Sequence, residues 1–106
     1  MNQTITREEA RETAETIRQQ IGGKALYMLG AKNFSFDADG SLSFRIRGSK
    51  KVNYIKVTLD RGMDLYNMEL GKIWGYNYKV VAEETGLYFD MLCTMIEKHS
   101  GLYTSL

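Results

Sequence analysis

Proline is absent from the 106 residues, so the ten glycines must supply the breaks between elements. Cysteine occurs once, at Cys93, which excludes an internal disulfide and any thiolate-cluster metal site and fits a reducing compartment. No stretch approaches the roughly 18 consecutive apolar residues of a membrane-spanning helix. The opening Met1-Asn2-Gln3-Thr4-Ile5-Thr6-Arg7-Glu8-Glu9 carries acid where a signal peptide carries base and then apolar residues. The expectation is a cytoplasmic protein with no membrane contact. An excess of one charge is also missing: 14 Lys and Arg stand against 13 Asp and Glu, a net charge of +1. No overall field draws in nucleic acid or an anionic surface, so any electrostatic partner must be met locally.

What is present is an ordinary globular composition, 43% apolar and 25% charged, in a length that suits one domain over residues 1–106. Thr6-Arg7-Glu8-Glu9 reads as a capping box that opens a helix over 7–21. Ala10, Ala14, Ile17 and Ile21 then form a thin apolar stripe, and Glu8, Arg11, Glu15 and Arg18 are spaced for ion pairs along the charged faces. Gly22-Gly23 ends the helix. Residues 24–30 fit either a short buried helix or a strand, with one or two helical turns preferred.

Beyond Gly30 the period changes to two. Phe34 and Phe36, the turn Asp37-Ala38-Asp39-Gly40, and Leu42, Phe44 and Ile46 make a hairpin. Ile55, Val57 and Leu59 define a third, central strand. A fourth follows over 65–70 with two possible registers, one burying Leu65 and the other Tyr66, Met68 and Leu70. Tyr76, Tyr78 and Val80 mark a fifth, within a sheet spanning 33–82. Leu87, Tyr88, Met91, Leu92, Met95 and Ile96 give a broad helical face over 85–99, after which Leu102, Tyr103 and Leu106 can fold back onto the core. The expected fold is α+β: a five-stranded antiparallel meander with helices from its two ends on one face and the other face free.

The stretch Ile21-Gly22-Gly23-Lys24-Ala25-Leu26-Tyr27-Met28-Leu29-Gly30-Ala31-Lys32-Asn33-Phe34 resembles small uncharacterised proteins encoded by bacteriophages, prophages and other mobile elements. The resemblance continues through Leu42 to Ile46, Ile55 to Leu59, Asp64 to Tyr66, Tyr78 to Val81 and Thr94 to Leu106, about the last four-fifths of the chain. It implies a setting rather than a chemistry: an accessory protein acting inside a bacterial cell. The family carries no established activity, so no catalytic residue follows from it.

The residues themselves offer little to an enzyme. Cys93 and His99 are the one thiol and base, but six residues apart on a helix they stand about 240° apart around its axis. With one His and one Cys, no metal or cofactor is expected. Aligning Asp37-Ala38-Asp39-Gly40 on a calcium loop puts Ile46 where the bidentate glutamate belongs, so it is a turn. Gly22-Gly23-Lys24 lacks the spaced glycine and the hydroxyl of a phosphate loop and reads as a helix cap. Glu83, Glu84 and Asp90 read as acids at the start of the last helix.

Two surfaces stand out. The window 45–61 carries Arg45, Arg47, Lys50, Lys51, Lys56 and Arg61 against Asp60, a local charge of +5, with Tyr54 among them, whereas 64–106 carries −3. That basic face suits nucleic acid or simply water. Tyr66, Trp74, Tyr76 and Tyr78 fall within thirteen residues and suit either an interface or a tyrosine-rich core. The favoured expectation is a non-enzymatic protein that binds and modulates or inhibits a host protein, such as a defence factor, through these aromatics. The alternative is a nucleic-acid-binding module using the basic strands. A homodimer is a further option.

Overall fold

The computed structural model describes residues 5–104, so Leu106 lies outside it. Helix α1 (Arg7–Ile21) is followed by α2 (Gly23–Met28) and by strands β1 (Lys32–Phe36), β2 (Leu42–Arg45), β3 (Tyr54–Asp60), β4 (Leu65–Trp74) and β5 (Asn77–Leu87). A 3-10 turn (Phe89–Met91) leads into helix α3 (Leu92–Ser100). The strands pair in sequence order and antiparallel, with β3 central. The fold is the α+β meander that the alternation pattern describes.

The capping box forms as its residue types dictate: the Glu9 amide donates to Thr6 Oγ1 at 3.1 Å, and the Thr6 amide donates to Glu9 Oε1 at 2.8 Å. Ala10, Ala14, Ile17 and Ile21 are all buried. The charged face departs from the expected intrahelical pairing. The Arg18 guanidinium lies 4.0 Å from the centre of the Phe34 ring, and that of Arg7 lies 5.7 Å from Phe36, so the arginines lid the edge strand β1 through cation–π contacts. Segment 24–30 is the short helix, with Ala25, Leu26 and Leu29 in the core.

One sheet face supplies the rest of the core. Leu42, Phe44, Ile55, Val57, Tyr66, Met68 and Leu70 pack against the helices together with Leu92 and Ile96 of α3. Each such Leu or Ile contributes about 1.5–3 kcal/mol by leaving water. The opposite face is uncovered and carries Ser43, Arg45, Tyr54, Lys56, Thr58, Asn67 and Glu69 in cross-strand register.

One open choice is resolved and two expectations need correction. Of the two registers for β4, the structure adopts the one burying Tyr66, Met68 and Leu70, because these face Leu59, Val57 and Ile55 across the ladder. The last helix starts at Leu92 rather than 85, and the sheet extends past 82 to Leu87. Glu83, Glu84 and Leu87 pair with Glu69, Met68 and Tyr66, and β-branched Thr85 and glycine at 86 (φ +67°) suit a bulged strand better than a first helical turn. Finally, Leu102 packs against the core but Tyr103 is 76% exposed.

Candidate functional site

The second half of β4 and the first half of β5 leave the body of the sheet. The β3 partner of β4 ends at Tyr54 opposite Gly71, whereas β4 continues with Lys72, Ile73 and Trp74 opposite Lys79, Tyr78 and Asn77. A two-residue turn closes this arm. Gly75 has φ +60°, and glycine at the first central position is the type II′ pattern that matches the twist of a hairpin. The arm is anchored at its base by Asn53, whose backbone amide donates to Gly71 O at 3.0 Å. Its side chain donates to Ile73 O at 2.9 Å and accepts from the Ile73 amide at 2.8 Å. Asn53 thus adds a residue's worth of ladder with its side chain.

The sequence proposes four aromatic contact residues, and the structure divides them. Tyr66 is a core residue, 7% exposed, and is removed from the surface by the register of β4. Trp74 and Tyr76 stand at the arm's tip, 51% and fully exposed respectively. Tyr78 lies at the arm's base on the open sheet face, its ring 5.4 Å from Tyr54 in an edge-on arrangement and its hydroxyl donating to Glu69 Oε2 at 2.6 Å. Burial, and then the neighbouring Glu69 carboxylate, push the Tyr78 phenol above its ordinary range. Val80 and Val81 continue the exposed apolar surface along β5.

The basic residues are divided as well. Arg45, Tyr54 and Lys56 share the open face, but Lys56 is paired with Asp37 at 2.9 Å and stands opposite Glu69. The Asp37 contact, opposed by partial burial, keeps the Lys56 ammonium above its ordinary range. A shallow depression of about 270 Å³ beside it is lined by Glu69, Glu83, Thr58 and Asn67, so this part of the face is not basic. Arg61 sits at the far end of β3, where it donates to Thr13 Oγ1 at 2.8 Å. Arg47, Lys50 and Lys51 belong to the β2–β3 loop and are exposed.

That loop and the arm are neighbours. Lys72 Nζ donates to Lys50 O at 2.8 Å, and Asn53, the last residue of the loop, bonds to Gly71 and Ile73 of the arm. The sequence reading missed Lys72, Lys79 and Asn53, because only the strand pairing brings residues near 50 beside residues near 72.

The residues considered for catalysis do not converge. Cys93 Sγ donates to Ile21 O at 3.4 Å, and burial pushes its thiol up, away from nucleophilic character. His99 Nε2 instead meets Glu84 Oε2 at 2.6 Å, with Lys98 at 3.9 Å from the same oxygen. His99 holds the Glu84 carboxyl below its ordinary range. These contacts tie the last turn of α3 to β5.

No helix among the described residues is long and apolar enough to cross a membrane. A scan of protein-family models returns no match, and searches of curated proteins and of solved structures return none. The contact surface is therefore read from the geometry of this chain.

Proposed function

We propose that the chain is a non-enzymatic binding module that contacts another protein through the β4–β5 arm. The carrying observation is the tip itself. Trp74 and Tyr76, two of the residue types that dominate interface energetics, are held in water on a hairpin anchored by Asn53. Exposed aromatics of this size add nothing to the core, and a rigid aromatic loses little entropy on docking. The resemblance to mobile-element proteins is the reason for naming a host protein as the partner, modulated or inhibited inside the bacterial cytoplasm.

Nucleic acid is the weaker reading. Arg61 is far from the loop, Lys56 is neutralised by Asp37, and Glu69 and Glu83 border the open face. A phosphate backbone that continued across the sheet would meet those carboxylates.

The test is co-purification of tagged chain from nuclease-treated host lysate. A bound protein lost on combining Trp74→Ala with Tyr76→Ala, yet retained on Arg61→Ser, supports the reading. A complex that dissolves with nuclease, or that ignores the aromatic substitutions, contradicts it.

A further inference from the structure

The alternating turns of the meander sort charge by position along the strands. One end holds the start of β1, the β2–β3 loop and the tip of the arm. Its strand and loop segments, 30–35, 44–53 and 70–82, contain seven basic residues and no acidic one; Glu69 and Glu83 pair just below it, and the last turn of α3, joined to the loop where Ser49 Oγ donates to Ser100 O at 2.7 Å, adds Glu97 beside Lys98 and His99. The other end carries Asp37, Asp39, Asp60 and Asp64 in or beside the β1–β2 and β3–β4 turns, against Arg61. Along the sequence, the charge of −3 over 64–106 opposes the basic window; in the fold, Lys72 and Lys79 leave that acidic half and join the base.

Two of the cross-strand pairs at this end are like-charged. Lys72 lies directly opposite Lys79, and Lys32 directly opposite Arg45. Such pairs are destabilising, and among the described residues no carboxylate forms an ion pair with Lys72, whose ammonium donates to the Lys50 carbonyl. Positive charge is concentrated here at a cost to the fold.

Resting on the protein-binding reading above, we infer that the surface docked on the arm is acidic: a protein patch or segment rich in Asp and Glu, with an apolar recess for Trp74. Charge complementarity selects this partner over a second copy. A two-fold contact through this end would set one basic surface against another. Strand addition is also disfavoured, because β5, the free edge, carries two bulges, at Val81 and at Thr85-Gly86, together with Lys79 and Glu83, all of which obstruct edge pairing. The contact is made by side chains.

Trp74 is the only tryptophan in the chain, so its fluorescence reports on this surface alone. We would titrate the protein with poly-L-glutamate, with a twenty-nucleotide oligo-dT and with poly-L-lysine. The expected result is a saturable change with poly-L-glutamate that weakens at least tenfold as salt rises, and none with poly-L-lysine. Lys79→Glu separates function from folding, since it opposes Lys72 with a carboxylate. It should raise the melting temperature while weakening poly-L-glutamate binding at least tenfold. No saturable response to poly-L-glutamate, or binding untouched by Lys79→Glu, would overturn the inference. Oligo-dT binding tenfold tighter than poly-L-glutamate would overturn it too and assign the end to nucleic acid. A negative titration with co-purification still lost on removing Trp74 and Tyr76 would defeat the acidic partner alone and leave the protein-binding reading standing.

Discussion

The ring of Tyr78 lies across Gly71, in space that the Cβ of any other residue at position 71 would occupy. The same ring meets Tyr54 edge-on and anchors its hydroxyl on Glu69. The absence of a side chain at Gly71 thus sets where the aromatic arm leaves the sheet. Gly71→Ala should displace Tyr78 and cost about 1–3 kcal/mol, the range for overpacking. Urea denaturation measures it; a loss under about 0.5 kcal/mol would show that the ring moves aside freely.

Tyr66 and Tyr76 should separate cleanly in stability. Tyr66→Ala removes a ring that β4 buries in the core and should cost about 3–5 kcal/mol. Tyr76→Ala should stay within about 0.5 kcal/mol, as for surface positions generally. Equal effects on the melting transition would contradict the register of β4.

Leu92 is fully buried at the start of α3, so Leu92→Ala should cost about 2–5 kcal/mol. A value below about 0.5 kcal/mol would mean that α3 does not cover the sheet.

Acid should weaken the attachments of α3. His99 lowers the Glu84 pKa, and the hydroxyl and amide of Thr104 lower that of Glu97. A carboxyl whose folded pKa is depressed contributes stability that is complete above its ordinary value, about 4.3. That contribution is lost as pH falls through the lower folded value. Glu84→Gln and Glu97→Gln should therefore each flatten the dependence of the urea midpoint on pH below about 5. Unchanged acid limbs would show that these contacts do not persist in solution.

Much of the fold is legible in the sequence, for particular physical reasons. Period-two alternation from Phe34 to Leu59 marks strands with one wet face, and the Thr6–Glu9 box fixes the first helix start. Where period and composition are ambiguous, the sequence misleads: Thr85 to Leu87 fit a helical face by spacing, yet they bulge and pair with β4. The site is legible only in part. Exposed Trp74 and Tyr76 follow from aromatic excess, but Tyr66 is indistinguishable from them until the ladder chooses its face. The basic end is half visible along the chain: the window 45–61 shows Arg45, Arg47, Lys50 and Lys51, but Lys32, Lys72 and Lys79 reach the same end of the sheet only once the meander is folded.

The most direct test of the arm as the contact surface is site-specific photo-crosslinking in host cells. A benzophenone amino acid replaces Tyr76, whose full exposure leaves folding untouched, and a second chain carries it at Ala38 in the turn at the opposite end. The account predicts a discrete protein adduct from position 76 that resists nuclease and is absent from position 38. An adduct from position 38 alone, or one at position 76 that nuclease removes, would contradict it.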